Sequence, residues 1–187
     1  QSEKALFMKV FLTVLILIFS LQSLTKADDI GEFELEGISI GDSLLDHYGQ
    51  EKITNGIKEF YDDDEFSATI FLASSDLYKY IQFHFKTYDK NFTVYSIDAI
   101  FFNDNLKDCI KKRDKILNEI SEVFINLKKE IRDNKDMASG VGKLHRGVFT
   151  FNSGDFVEVS CYQYHNEDYG TDHGRVAIVT KELNNWI

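Results

Sequence analysis

The sequence predicts a single α+β domain built on an antiparallel sheet of about six strands. Stretches of alternating apolar and polar residues, typical of strands, occur in two groups of three, and a helical stretch precedes each group. The 187 residues, 43% hydrophobic and 28% charged, suffice for one domain with its own core. Because residues 38–102 and 104–181 show the same order of helix and strands, we predict two three-stranded meanders related as an αβββ pseudo-repeat.

The first 27 residues are predicted to be a signal peptide. Lys9 precedes an apolar run over residues 10–21, and Ala27 ends a more polar stretch. A basic start, a short apolar core and a small residue at the cleavage site are typical of secretory signal peptides, whereas a membrane span needs about 20 apolar residues. Translation is expected to start at Met8, with the residues before it as a reading-frame extension. The domain, residues 28–187, is then expected to be periplasmic or secreted, with no membrane span in the mature chain.

The first half of the domain is predicted to contain two short helices and three strands. Asp42 or Ser43 supplies a helix N-cap and Gly49 a helix stop, and a second short helix is predicted over residues 51–60. Turn-forming residues separate three alternating stretches, which predict strands at 66–73, 78–86 and 93–102.

The second half begins with the clearest pattern, a long amphipathic helix over residues 106–131 that is expected to pack on one face of the sheet. Its apolar stripe recurs at helical spacing and consists of Leu106, Cys109, Ile110, Arg113, Leu117, Ile120, Phe124, Leu127 and Ile131. Residues 132–147 contain three glycines and show no period, so a loop is predicted there. The remaining strands are predicted at 148–151, 156–164 and 175–181.

Both cysteines lie in the part of the chain predicted to be exported, where an even number favours a disulfide. Cys109 belongs to the apolar stripe of the helix, and Cys161 shares a strand face with Val157 and Val159. Both side chains therefore point into one helix–sheet interface. We predict that a Cys109–Cys161 disulfide joins the helix to the sheet.

Five aromatic residues fall on the polar faces of two predicted strands and form a candidate binding surface: Tyr78, Tyr80, Phe156, Tyr162 and Tyr164. Large amphipathic side chains on an open sheet face are favoured at interfaces. A second core layer, or tyrosines packed beneath the long loops, is the alternative interpretation. The net charge of −10 excludes nucleic acid as a main partner. Because no complete catalytic set is present, the sequence favours a binding module for a protein or small ligand over an enzyme.

A loop near the C-terminus concentrates side chains that bind metals: His165, Glu167, Asp168, Asp172 and His173. The loop has no standard ligand spacing, so a solvated acidic loop is the alternative to a metal site. No other cofactor is expected.

The stretch GDSL at residues 41–44 resembles the signature of the GDSL (SGNH) esterases, in which the serine, here Ser43, is the nucleophile. That family places an Asp-x-x-His near the C-terminus, but here the residues three before His145, His165 and His173 are glycine or tyrosine. A small serine hydrolase that uses Ser43 is therefore an alternative function, and helix capping is the other explanation of this residue.

From Gly37 onward the chain resembles small exported proteins of unknown function from AT-rich bacteria. These proteins share a stretch like ISIGDSLL at residues 38–45, a cysteine early in the long helix and a second cysteine in a late strand. A helix followed by a meander is also similar to the architecture of periplasmic β-lactamase-inhibitor-like modules. The resemblance implies an exported protein and a fold but no activity.

Overall fold

The structure, a computed structural model, describes residues 30–58, 61, 64–137 and 140–187. The predicted signal peptide, residues 1–27, lies outside the described residues. Within the described ranges, no helix is both long enough and apolar enough to cross a membrane.

An eight-stranded antiparallel sheet dominates the fold, and a two-stranded sheet lies beside it. The strands are β1 Glu34–Leu35, β2 Ile38–Ser39, β3 Ile57–Lys58, β4 Phe66–Leu72, β5 Tyr80–Lys86, β6 Ser96–Phe101, β7 Lys128–Asp136, β8 Gly142–Thr150, β9 Phe156–Tyr164 and β10 His173–Val179. The helices are α1 Gln50–Asn55, α2 Leu106–Val123 and α3 Lys181–Trp186, with 3-10 turns at Ile30–Glu32 and Leu44–Asp46. The large sheet has the order β3-β4-β5-β6-β10-β9-β8-β7.

The predicted fold class, a six-stranded α+β sheet with an αβββ pseudo-repeat, is wrong. Strands β3 and β7 were not predicted, and they add an edge to each side of the large sheet. Of the three α-helices in the described part of the chain, only α2 is longer than six residues. The helical stretch predicted before the first strands consists of one 3-10 turn and the short α1. The chain therefore forms two four-stranded meanders with a single substantial helix between them.

The predicted helix over residues 106–131 is also wrong in its length, because α2 ends at Val123. Phe124 follows with φ −102° and ψ 64°, outside the helical region, and its buried ring packs against Phe33 and Phe151. Ile131 fitted the helical spacing but lies in β7, opposite Gly147 of β8. Pairing with β8 satisfies the backbone of β7, and this tertiary pairing overrides the local pattern.

The loop predicted at residues 132–147 is instead largely a hairpin of β7 and β8. Gly147 lies in β8 directly beneath α2, where a Cβ atom would collide with the side chain of Leu117. This glycine therefore allows close approach of helix and strand, and it does not mark a turn.

The main core lies on one face of the large sheet, which we call the helix face. A layer made of α2 and residues 30–55 covers it. The prediction that Cys109 and Cys161 pair is confirmed: the two residues form a disulfide with their Cα atoms 6.0 Å apart. Both are buried, and the bond joins α2 to β9 in the middle of this core.

Arg113, which the helical pattern placed on the apolar stripe, is buried in the same interface. Its guanidinium donates to the carboxylate of Asp133 in β7 and to that of Asp114 in α2. The pairing of β7 with β8 shifts register between Arg132 and Lys135, and Asp133 lies within this irregular stretch. The ion pair thus links α2 to the edge of the sheet.

A smaller apolar cluster covers one end of the opposite sheet face. It joins Leu183 of α3 to Phe66, Ala177 and Val179, with Trp186 packed against them. In the described part of the chain, α3 is the only helix on this face.

Candidate functional site

The sheet face opposite α2 carries three of the four arginines in the chain. Strand pairing places Arg132 opposite Arg146, Arg146 opposite Ser160 and Ser160 opposite Arg175. These residues therefore form one row that crosses β7, β8, β9 and β10 on a single face. We call this side of the sheet the arginine face.

A second row, two residues further along each strand, supplies the carboxylates. The same pairing aligns Glu130, Glu158 and Asp98 across β7, β9 and β6. Glu158 accepts one hydrogen bond from Arg146 Nη1 at 3.0 Å and one from Arg175 Nη2 at 3.1 Å. Arginines of the first row thus form ion pairs with a carboxylate of the second row.

These ion pairs are partly withdrawn from water. Glu158 is only 2% exposed and Asp98 only 6%, while the guanidinium groups of Arg146 and Arg175 cover them and remain partly exposed. Burial by itself would raise the pKa of Asp98, but Arg175 and His84 outweigh burial and hold this pKa below its usual value. Burial would lower the pKa of Arg175, but Asp98, Tyr162 and Glu158 raise it overall. Both groups are therefore charged at neutral pH.

His84 connects this cluster to Tyr61. The Nε2 atom of His84 lies 3.1 Å from Asp98 Oδ2, and its Nδ1 atom lies 2.6 Å from the hydroxyl of Tyr61. Burial, with a contribution from the charge of Asp98, raises the pKa of Tyr61 to about 12, so this phenol keeps its proton at neutral pH. His84 therefore lies in a hydrogen-bonded line between Tyr61 and Asp98.

Three of the five predicted aromatic residues, Tyr80, Tyr162 and Tyr164, lie together at one end of the arginine face. His173 stacks on Tyr162 with ring centroids 4.6 Å apart and on Tyr164 at 6.1 Å. Phe102 lies 6.4 Å from both His173 and Tyr80, so the five rings form one connected group. Phe102 and His173 were not predicted as part of this surface, although Phe102 directly follows a predicted alternating strand.

The other two predicted aromatic residues lie elsewhere. Tyr78 precedes β5 and packs against the main core, with its ring 6.5 Å from that of Phe101. Burial, with the charges of Glu36 and Glu119, raises the pKa of Tyr78 to about 12. Phe156 packs against the small cluster beneath α3. These two side chains therefore match the alternative interpretation, in which the aromatic rings belong to the interior.

The arginine face retains polar atoms that no hydrogen bond satisfies. Asp98 Oδ1, Arg146 Nε and Arg175 Nε are buried, and none has a hydrogen-bond partner among the described residues. Native proteins satisfy most buried polar atoms with protein groups or ordered water. No protein-family model, curated protein or solved structure matches the chain. Any assignment of function therefore depends on the chemistry of this face.

A small cavity adjoins the aromatic end of the face. Its lining includes Tyr162, His173, Asn103 and Cys109, and its volume of about 10 Å³ holds about one water molecule. The cavity is therefore too small for an organic ligand.

The predicted metal loop does not converge on a common point. Asp172 accepts a hydrogen bond from the backbone of Tyr164 at 2.8 Å, and His173 Nδ1 lies 2.8 Å from the carbonyl oxygen of Thr171. The side chains of His165, Glu167 and Asp168 are exposed. Within the described residues, no three His, Cys, Asp or Glu side chains are close enough together to hold a metal ion.

Ser43 has the geometry of a capping residue. Its hydroxyl donates to the carbonyl oxygen of Asn91 at 2.7 Å and accepts from the backbone N–H of Leu45 at 3.3 Å. It is the N-cap of the 3-10 turn at Leu44–Asp46. Because this hydroxyl proton is directed to a backbone carbonyl, the structure offers no support for the hydrolase alternative.

Proposed function

We propose that the protein is an exported binding module that uses the arginine face as its binding surface. The row of partly exposed arginine side chains, Arg132, Arg146 and Arg175, carries this proposal, together with the apolar side chains exposed on the same face. Exposed apolar side chains lie on the same face: Phe102 is 46% exposed and Leu72 is 69% exposed. Arginine and aromatic residues next to each other are characteristic of the energetically dominant part of binding surfaces.

Binding, and not catalysis, is the chemistry that this face supports. Each carboxylate near its centre is held by an arginine, and His84 is held between Asp98 and Tyr61. Tyr61, His84 and Asp98 are hydrogen-bonded in a line, but burial raises the pKa of Tyr61 to about 12, which opposes formation of a nucleophilic phenolate at neutral pH.

Nuclear magnetic resonance tests whether the face binds anything. The oxidised protein, labelled with ¹⁵N, would be mixed in turn with the protein, polysaccharide and small-molecule fractions of the envelope and medium of the producing cell. We expect at least one fraction to shift the Nε–H resonances of Arg146 and Arg175 and to leave that of Arg113, on the helix face, unchanged. If no fraction shifts these resonances, the proposed function is wrong.

Export to the periplasm or the medium is the second part of the proposal. It is supported by the signal-peptide pattern of residues 8–27 and by the disulfide, since disulfides persist in oxidising compartments. We expect the exported protein to begin at Asp28 by N-terminal sequencing. Leu15→Arg, in the middle of the apolar run, should retain the protein in the cytoplasm, whereas Leu77→Arg, on the surface of the domain, should not. Export of the Leu15→Arg variant would contradict this part of the proposal.

A further inference from the structure

His145 of β8 is a buried histidine on the helix face, next to the irregular stretch of β7. Strand pairing places His145 opposite Cys161 of β9, whose side chain lies in the main core. On the other side of β8 lies the register shift of β7, which contains Asp133 and Asn134. A side chain that can gain a proton is thus enclosed between β7 and β9.

The hydrogen bond to His145 shows where its proton lies. The backbone N–H of Asn134 can only donate, and its nitrogen lies 3.2 Å from His145 Nδ1. Nδ1 must therefore accept, so the imidazole is neutral in this arrangement and carries its proton on Nε2. Nε2 is buried and has no hydrogen-bond partner among the described residues. The bond from Asn134 therefore exists only while the imidazole lacks a second proton.

A carboxylate lies beside Nδ1 as an alternative partner. Asp133 Oδ1 is 3.5 Å from His145 Nδ1. A second proton on the imidazole is added to Nδ1, where it repels the N–H of Asn134 and is attracted to the carboxylate of Asp133. Shortening the distance to Asp133 by about 0.7 Å would give a charge-assisted hydrogen bond.

The charges around His145 can accommodate this second proton. Within the described part of the chain, they come from α2, β7 and β8 and belong to Arg113, Asp114, Asp133, Asp136 and Lys143. On β9, Cys161 is held in the disulfide and does not titrate. Two positive and three negative charges leave one negative charge unbalanced. A protonated His145 balances it.

We propose that His145 is a pH-dependent switch for the irregular stretch of β7. The neutral imidazole binds the backbone of Asn134, whereas the protonated imidazole binds Asp133 and releases the N–H of Asn134 to water. Because one hydrogen bond replaces another, the free energy of unfolding changes little and the effect is local. Arg132, the β7 end of the arginine row, directly precedes the released residues. The switch needs no ligand, so it does not depend on the proposed function.

Amide hydrogen exchange, measured by nuclear magnetic resonance from pH 8 to pH 5, tests the inference. Histidine side chains change charge in this range. The protection factor of the Asn134 amide, the ratio of its intrinsic to its observed exchange rate, should fall about fivefold as a neutral hydrogen bond is lost. The fall should have the same midpoint as the imidazole resonances of His145. Constant protection while His145 titrates, or a His145 that stays neutral at pH 5, would overturn the inference.

A pair of histidine variants makes the test specific. In His145→Asn, the side-chain oxygen can still accept from Asn134 but does not titrate, so the protection factor should stay constant from pH 8 to pH 5. His165→Asn is the matched control, because His165 is an exposed histidine whose backbone binds Val141 at the end of the same hairpin. This control should retain the fall in protection. If the two variants behave alike, the inference is wrong.

A second pair of variants tests the alternative partner. Asp133→Asn removes the carboxylate that would bind the protonated imidazole, so the Asn134 amide should lose its protection at a lower pH than in the wild type. Asp104→Asn, exposed before α2, should leave the midpoint unchanged. An unchanged midpoint in Asp133→Asn would contradict the exchange of partners. Should this variant fail to fold, the pair of His145→Asn and His165→Asn still decides the matter.

Discussion

Arg113 carries a permanent charge into the interface between α2 and the sheet, where it is 2% exposed. Its partners Asp133 and Asp114 remain about half exposed, so water reaches the carboxylates but not the guanidinium. Hydrogen bonding to Arg113 lowers the pKa of Asp133. Removal of Asp133 therefore leaves a buried charge with one partner fewer. Removal of Arg113 leaves two carboxylates that water already reaches.

We predict that Asp133→Asn destabilises the protein more than Arg113→Met does. Asp133→Asn leaves a buried guanidinium with one carboxylate fewer, at a cost of about 1–3 kcal/mol. Arg113→Met replaces a buried charge by an apolar chain of similar length and leaves two solvated carboxylates, so its cost should be below about 1 kcal/mol. Urea unfolding at pH 7 measures both, with Lys111→Met on the exposed side of α2 as the control. The reverse order of the two costs would contradict the prediction.

Alternation of apolar and polar residues predicts the sheet face of a side chain only for residues that lie within a strand. Tyr80 is the first residue of β5 and lies on the predicted face, whereas Tyr78 precedes the strand and turns into the core. His173 is the first residue of β10, and its ring stacks on Tyr162 although its residue type indicated a metal ligand. Residue type and spacing therefore located the aromatic end of the face but not the role of each side chain.

At the scale of elements, the disulfide between α2 and β9 links residues 52 positions apart. The chain-entropy model gives about 4 kcal/mol for a loop of this length. We predict that reduction lowers the free energy of unfolding by a few kcal/mol, which is a large share of the 5–15 kcal/mol usual for a domain. Urea unfolding with and without dithiothreitol measures this change.

The control for the disulfide is the double variant Cys109→Ala with Cys161→Ala. Its stability should equal that of the reduced protein within about 1 kcal/mol and should not respond to dithiothreitol. A reduced protein as stable as the oxidised one would show that packing alone joins α2 to β9.

The pairing of β7 with β8 shifts register between Arg132 and Lys135, and Asn134 lies within this shift. This residue has φ +55°, and its backbone N–H donates to His145 Nδ1 at 3.2 Å. Asparagine and glycine tolerate this left-handed conformation, but a β-branched residue does not. We predict that Asn134→Gly changes stability by only a few tenths of a kcal/mol, whereas Asn134→Val costs about 1–2 kcal/mol. Thermal unfolding of the two variants provides the comparison, and equal melting temperatures would contradict it.

The length of α2 could not be obtained from its apolar stripe. Leu127 and Ile131 continue the helical spacing, but Asn126, a residue favoured in turns, separates Phe124 from β7. Strand β7 is exposed along its whole length and has almost no apolar side chains, so its sequence carries no alternation. Its charged side chains suit an edge strand, where they oppose pairing with other chains.

At the scale of the whole molecule, the carboxylates paired with arginine or histidine determine the response to acid. Arg175 and His84 outweigh burial and lower the pKa of Asp98 in the folded state, and Arg113 lowers that of Asp133. A carboxylate with a lowered folded pKa contributes stability above its unfolded value, near 4, and loses that contribution as pH falls through the folded value. We predict constant stability from pH 7 to about pH 5 and a steep loss below about pH 4.

Urea unfolding at a series of pH values measures the acid response. Asp98→Asn should flatten the loss below pH 4, whereas Asp104→Asn, exposed before α2, should leave the curve unchanged in shape. If stability falls as steeply below pH 4 in Asp98→Asn as in the wild type, Asp98 does not drive acid unfolding.

The arginine row is a property of the whole sheet and could not be predicted from the sequence. Arg132 and Arg146 lie in the stretch predicted as a loop, and Arg175 lies in a strand whose neighbours were unknown. The three residues come into line only because β7, β8, β9 and β10 pair in register. Periodicity places side chains on faces, but it does not determine the order of strands.

The sheet is completed at its centre by the last strand of the chain. Strands β6 and β10 pair there, and Ser96 donates to the carbonyl oxygen of Ile178, 82 positions away. Contacts between such distant segments form late in folding, because loop closure must precede them. During synthesis, β6 can pair with β5, but its other edge stays unpaired until β10 has emerged. Until β10 pairs with both of them, β6 and β9 are edge strands of two separate sheets, and edge strands are open to pairing with other chains.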